Sequence, residues 1–283
     1  NVKIAVSLLW MSAAKTVADF LFGVIPLFVL MGLLVSTAGM GRDTYDIAQN
    51  ALRNVRGGLG MATVIANAIF AAITGVSIAS ATVFTRISVP EMLRYGYKGR
   101  FAVGTVAGSS VLGMLIPPSI LLIIFALIAE ESVGDLFIAG IGPGVLLTFS
   151  FCMLIAVMAY VFPNKVAQPG ALDQHREQEK MPRRELWAKT YPIVILVLVV
   201  LGGIYAGLYT PTEAGAAGAF VAFLFALARR QLTFRKLWDV LVETGHITAT
   251  LLFLIIAASM YSRMLGISGL PTELGRIIGD MDA

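Results

Sequence analysis

The sequence predicts an all-α polytopic membrane protein, and three features carry that reading. Of its 283 residues, 58% are hydrophobic and only 13% charged, against about 25% charge in soluble domains. Mean hydropathy is +0.84. The apolar residues fall in runs long enough for helices to cross a bilayer, which takes about 20 residues each; the alternating segments of about ten residues that mark a β-barrel are not seen. The net charge of +4 resides in short loops between apolar runs, where basic residues set topology rather than bind nucleic acid. Cys152, the single cysteine, reads as a small buried hydrophobe.

In chain order, residues 1–15 hold an amphipathic stretch and a polar break, without the pattern of a signal peptide. Residues 17–38 form the first span, in which Pro26 is tolerated because packed neighbours re-satisfy the freed carbonyl. Residues 42–56 are a polar helix expected along the membrane surface. Residues 57–90 are apolar but interrupted near Thr74 to Ser80, and residues 101–128 are interrupted at Pro117 and Pro118. Residues 137–162 are a clean span. Residues 163–189 are hydrophilic and read as a solvated linker without a catalytic role. Spans at 191–208 and 213–228 follow, joined by Thr210-Pro211-Thr212, with Glu213 as first-turn acid. An amphipathic stretch at 232–243, a last span at 246–265 and a second surface helix at 271–281 complete the pattern. Trp10, Trp187 and Trp238 fit interfacial anchoring. His246 is expected at an interface and His175 in solvent. The ends of the pattern are those expected of a piece of a longer protein.

Charge sets the orientation. If 57–90 enters and leaves on one side, the segments 42–56, 94–100, 163–189 and 229–236 share that side and hold sixteen of the 21 Lys and Arg residues. The opposite loops, around Glu130 to Asp135 and Tyr209 to Glu213, hold none, which is the positive-inside asymmetry. Residues 62–75 would make roughly 21 Å of helix, short of the roughly 30 Å hydrocarbon core, so each arm stops inside the membrane as a re-entrant hairpin. A weak internal repeat aligns residues 27–41 with 252–266, Phe28 with Phe253 and Gly41 with Gly266, in spans of opposite direction; inverted repeats are a transporter signature. The resulting organisation is a scaffold span and arm helix (1–56), a hairpin and broken helix (57–134), a closing span (135–163), a cytoplasmic linker (164–190) and second-repeat spans (191–283).

Two polar constellations stand out in the apolar sequence. The first is Asn67, Thr74, Gly75, Ser77, Ser80 and Thr82, with Thr74-Gly75-Val76-Ser77 at the hairpin tip. Glycine permits the reversal, and freed carbonyls with Ser/Thr oxygens suit an alkali cation or, as donors, a carboxylate. The bland alternative is back-bonding of each hydroxyl to its own helix, with glycines for close packing. The second runs from Gly104 to Ser119, with Ser109, Ser110, Gly113, Pro117, Pro118 and Ser119. Two prolines remove two backbone donors and force the chain out of the α region; non-helical backbone at membrane depth persists only beside protein or a wet cavity. A simple proline kink is the alternative there. No Walker loop, no metal-ligand spacing and no nucleophile–base pair is recognised.

These stretches resemble the large membrane subunit of tripartite ATP-independent periplasmic (TRAP) transporters. The resemblance rests on Ile25-Pro26-Leu27-Phe28 through Gly32, Phe70-Ala71-Ala72-Ile73-Thr74-Gly75 through Pro90-Glu91-Met92, and Gly113-Met114-Leu115-Ile116-Pro117-Pro118-Ser119. It continues through Leu136 to Gly144 and from Gly202-Gly203 to Thr210-Pro211-Thr212-Glu213-Ala214, nearly the whole chain in order. It implies an elevator-type fold with inverted repeats, in a multi-pass protein of the bacterial inner membrane. It implies sodium-coupled uptake of an organic carboxylate such as a dicarboxylate or sialic acid, delivered by a periplasmic binding protein, with a small membrane subunit as second partner. No cofactor is implied beyond sodium as coupling ion, and no enzymatic activity. The family's site role falls on Asn67, Thr74, Gly75, Ser77, Ser109, Gly113, Pro117 and Ser119, with sodium near Ser77 and Gly113. The tip reads Thr-Gly-Val-Ser where many relatives have a Ser-Gly-Ser-type run, so Val76 supplies no side-chain oxygen. A second hairpin and second broken helix are expected outside this chain. A single-component sodium–dicarboxylate symporter, a membrane enzyme and a purely structural subunit are the competing readings.

Overall fold

The computed structural model describes Trp10, residues 23–169 and 181–269, and Glu273, Gly275 and Arg276. Apart from Trp10, the expected stretch at 1–15, most of the expected helix at 271–281 and His175 lie outside the described residues.

The first described span, α1 (Val24–Thr37), is an aliphatic helix that ends where Gly39 takes a φ of +77°. A 65° bend leads into α2 (Met40–Leu52), the polar helix, with Asp43 in its first turn. Next come the hairpin arms, α3 (Gly58–Thr74) and α4 (Ser77–Arg94). They have 17 and 18 residues, about 26 Å each, longer than the expected arms yet still short of a bilayer core. The chain continues through Pro90 as helix, so the arm ends at Arg94 rather than at the proline. The interrupted span divides into α5 (Gly99–Ser110), the single turn α6 (Leu112–Leu115) and α7 (Ile120–Ala129), bent by 40° at the double proline. Then α8 (Val133–Val161) runs 29 residues, starting ahead of the expected boundary because Ser132 caps it by accepting from the Asp135 N–H.

The second half is more regular. Helix α9 (Arg183–Val197) starts inside the segment read as linker and passes through a π-helical turn, Leu198–Gly202, to Tyr205. Its first turn is polar, which is why composition assigned it to the linker. Helix α10 (Pro211–Ala228) opens with a capping box: the Thr210 hydroxyl accepts from the Glu213 N–H, and Glu213 accepts from the Thr210 N–H at 2.8 Å. Helix α11 (Phe234–Ser268) joins the amphipathic stretch and the last span into one 35-residue helix, with no break between residues 243 and 246. Gly41 lies just past the α1–α2 bend, whereas Gly266 is still inside α11, which ends at Ser268. The register aligned from sequence is therefore not kept by the helix ends.

Small residues bring α1 and α10 together. A Cβ on Gly215 would lie 3.1 Å from that of Leu27, and Gly218 lies beneath Met31 and Val200. Phe28 meets Phe137 edge-on at 6.3 Å. A second core seats the base of the hairpin on α8, with Leu59, Val64, Tyr97, Phe101, Ile155 and Ala159 buried together. Gly57 and Gly60 fit against Ala159 and Ile155. Cys152 is half-buried beside this core rather than fully enclosed.

The basic loops gather at one end. Lys98 N–H donates to Val166 and Gln168 N–H to Gly96, so the exit of the hairpin meets the exit of α8. The hairpin's other end is there too, with the Arg56 guanidinium over the Tyr160 ring. Both ends of the hairpin thus reach one end of α8, as a re-entrant path requires. Helix α2 is fastened at the same end: Asp43 pairs with Arg229, Asp46 with Lys189 at 2.8 Å, and Asn50 accepts from the Met181 N–H. Burial pushes the Asp43 carboxyl above its ordinary range, and the Arg229 hydrogen bond and charge oppose that. At the other end Gly23 neighbours Thr212, and Gly134 neighbours Ile204. Trp187 and Trp238 are exposed, as anchors would be; His246 is exposed within α11.

Candidate functional site

Two interruptions far apart in sequence meet in space. At the first, α3 stops at Thr74 and α4 restarts at Ser77; Gly75 has a φ of +65° and Val76 is extended. At the second, Ile116 and Ser119 are extended around Pro117–Pro118, whose peptide bond is cis. The Gly75 carbonyl accepts from the Ile120 N–H at 3.2 Å, at the start of α7. A Cβ on Gly75 would fall 2.3 Å from the Pro118 carbonyl oxygen, and one on Gly113 would fall 3.0 Å from both Cα and N of Ser77. The tip of the hairpin therefore lies backbone to backbone against the broken helix; glycine is required at 75 by its positive φ and the close Pro118 carbonyl, and a Cβ at 113 would crowd the Ser77 backbone.

The side chains divide between holding this junction and lining it. Ser119 donates to the Met114 carbonyl at 2.7 Å and accepts from the Leu122 N–H, tying the end of α6 to the start of α7. The Met114 carbonyl, whose helical donor would be residue 118, a proline, is thereby satisfied. The Leu115 carbonyl faces Gly140 of α8, where a Cβ would stand 2.8 Å away, and Gly144 abuts Ile116. Pro117 touches the same strip. Thr74 back-bonds to the Phe70 carbonyl at 2.9 Å, which is the bland reading, yet its own carbonyl lies against Gly32 of α1. A hydroxyl that has given its hydrogen to a carbonyl still offers lone pairs. The first turn of α4, beginning at the half-buried Ser77, has no side-chain cap among the described residues, so the N–H groups that open it have no intrahelical acceptor.

Asn67 and Ser109 form a separate level. They lie two turns, about 10 Å, from Thr74 along α3. The Asn67 amide nitrogen donates to the Ser109 hydroxyl at 2.6 Å, and that hydroxyl donates in turn to the Thr105 carbonyl at 2.7 Å. Because Ser109 has spent its hydrogen, it must accept from Asn67, which directs the amide oxygen away. Asn67 Oδ1 is buried without a partner among the described residues, a costly state for an acceptor unless water or a cation meets it. Beside Ser109 a crevice of about 250 Å³ runs between α5 and α8, bounded by Thr105, Gly108, Phe151 and Arg100.

Of the residues expected at a site, Thr74, Gly75, Ser77, Gly113, Pro117 and Ser119 converge at the junction, and Asn67 with Ser109 lies apart. Reading the sequence for sites missed Gly32, Gly140 and Gly144, which support the two breaks from α1 and α8. The Gly140–Gly144 spacing was a visible signal of close helix approach; Gly32 stood alone. It also missed Ser88, which like Ser80 is buried with no hydrogen-bond partner among the described residues.

Residues 2–283 match the family described as tripartite ATP-independent periplasmic transporter, DctM component. The chain is 35% identical over 258 residues to the C4-dicarboxylate TRAP transporter large permease protein DctM of Pseudomonas aeruginosa, covering 91% of the chain and 58% of that protein. It is 30% identical to the ectoine/5-hydroxyectoine TRAP transporter large permease protein UehC of Ruegeria pomeroyi and to the sialic acid TRAP transporter large permease protein SiaM of Vibrio cholerae. Each match covers 90% of the chain and 58% of the relative. The chain thus spans under two thirds of the length of these relatives.

Proposed function

Because the chain belongs to the DctM family of tripartite ATP-independent periplasmic transporters, we propose that it supplies scaffold spans and one half-site of a permease that imports an organic carboxylate by sodium coupling. It is a multi-pass inner-membrane protein, with α8, α9, α10 and α11 long and apolar enough to cross the bilayer. C4-dicarboxylates, ectoine and sialic acid, named for its relatives, all carry a carboxylate. The proposed partners are a small membrane subunit and a periplasmic binding protein.

The observation that carries the reading is the junction of Gly75 and Ser77 with Gly113 and Pro118. Broken backbone at membrane depth leaves groups that a regular helix would satisfy. In this reading sodium takes oxygens near Ser77 and Gly113, with Thr74 compensating for Val76. The uncapped first turn of α4 offers N–H donors and the positive end of its dipole to the substrate carboxylate. Pro117 and Ser119 keep the break open, and Asn67 with Ser109 provides a second oxygen site along the hairpin.

Sodium-gradient uptake into proteoliposomes containing the complete permease, with and without a purified binding protein, tests this. Ser77→Ala is expected to weaken the sodium dependence more than it lowers protein abundance. An unchanged sodium response in the assembled complex removes Ser77 from the ion site; uptake independent of any binding protein replaces the tripartite reading with a single-component symporter.

A further inference from the structure

Helix α4 has two opposite faces, and the outer one does not suit lipid. Ser80, Phe84, Ser88 and Met92 form the buried stripe at four-residue spacing. Two positions round the helix, Ile78, Thr82, Arg86 and Pro90 form an exposed stripe, with Thr85 exposed beside it. On α8 the exposed large side chains include Ile138, Val145, Leu146, Phe149, Met153 and Val157, the composition of a lipid-facing surface. Arg86 is the single basic residue between Gly57 and Leu93 and makes no ion pair among the described residues. It lies about 13 Å along the helix from Ser77 and about 12 Å from Arg94. Its backbone carries a second mark. The helical donor to the Arg86 carbonyl would be the N–H of residue 90, which is proline, so the carbonyl loses that partner on the same exposed stripe. A cationic side chain and an undonated carbonyl at this depth both call for water or protein rather than hydrocarbon.

We infer that the Thr82–Arg86 stripe of α4 lines the aqueous route between the hairpin tip and the cytoplasm, and that Arg86 is the cation that favours anions along it. This rests on the carboxylate-transport reading and adds a charge selector outside the binding junction. An anion leaving the tip meets hydroxyls at Thr82 and Thr85, then the guanidinium, then the basic loop beyond Arg94.

The test reads accessibility and charge rather than uptake. The complete permease with its small subunit, carrying Cys152→Ala and Thr82→Cys, is placed in inverted vesicles. It is treated from the cytoplasmic side with anionic sulfonatoethyl or cationic trimethylammonioethyl methanethiosulfonate. Residue 82 is one turn deeper than Arg86, so each reagent must pass it. Both reagents should react, and Arg86→Gln should lower the anionic-to-cationic rate ratio about tenfold, as one charge a few ångströms away in water predicts. Arg86→Lys should keep the ratio. No reaction at residue 82 overturns the route, because the face is then covered by lipid or protein. Reaction with a ratio indifferent to Arg86→Gln overturns the selector. Both results are read without measuring carboxylate uptake, so failure of the transport reading is seen separately.

Discussion

Residues 58–129 and 183–268 are built from similar apolar amino acids but treat the backbone differently. In the first region helices stop and restart at Gly75–Val76 and at Pro117–Pro118, and Asn67, Thr74, Ser80, Ser88, Ser109 and Ser119 are buried. In the second, α11 runs 35 residues without a break and the buried polar residues are Thr212 and Thr244. Its π turn presents Val200 to Gly218, and Gly203 just beyond the turn meets Tyr209. An uninterrupted helix satisfies its own amides and can face lipid; an interrupted one needs other backbone pressed against it. Gly75 and Gly113 of the first region accordingly meet backbone atoms, while Gly218 meets side-chain atoms of Met31 and Val200.

That contrast is sharpest at Gly75. Gly75→Ala combines a positive φ with a collision against a carbonyl that cannot move alone, so uptake should fall at least a hundredfold. Gly218→Ala, where flexible Met31 gives way, should cost about 1–3 kcal/mol of stability and keep transport. Equal loss of uptake in both, at equal abundance, would erase the distinction between the regions. The double change Pro117→Ala with Pro118→Ala comes next. Each proline costs roughly 3 kcal/mol in a helix interior relative to Ala, so the variant should fold as well or better. Sodium and substrate binding should be lost together as freed groups enter helical bonds, and normal binding by calorimetry would reduce the prolines to a kink.

A smaller effect is expected in the fastening of α2. Asp43→Asn leaves Arg229 without its carboxylate, and a partly exposed pair of this kind is worth about 1–2 kcal/mol. A lower midpoint of thermal unfolding in detergent should follow, with sodium dependence of uptake unchanged in the folded fraction. The smallest effect is expected from deleting residues 173–178 of the hydrophilic segment. Its composition is that of a solvated connector, and uptake per folded permease should stay near that of the parent chain; loss of uptake at normal expression would give the segment a function.

How much of this was legible in the sequence follows from which interactions are local. Helix α1, the hairpin turn, the double-proline break and the Thr210–Glu213 cap are set by neighbouring residues, and each was readable. The four basic segments pointed to one end of the molecule, where Asp43–Arg229 and Lys98–Val166 now meet. The polar start of α9 was unreadable because Arg183, Arg184 and Glu185 resemble linker until the helix they open is seen. The union of two segments into α11 was hidden for a related reason, since a change of polarity along a helix at the membrane edge looks like a boundary. For the site, sequence supplied the members but not their levels: nothing local places Ser109 on Asn67 or Gly32 on Thr74.

The seat of the hairpin also bears on how the chain is made. Gly57 and Gly60 rest on Ala159 and Ile155, which leave the ribosome about 95 to 102 residues after them. At ordinary elongation rates of about 5–20 residues per second, that is a wait of roughly 5–20 s. During it α3 and α4 are two helices too short to span, one of them carrying Arg86, and neither is a stable guest of the bilayer by itself. On these lengths and this charge the hairpin is expected to wait, at the insertion channel or the membrane surface, for α8, which would make insertion of this region a late folding step.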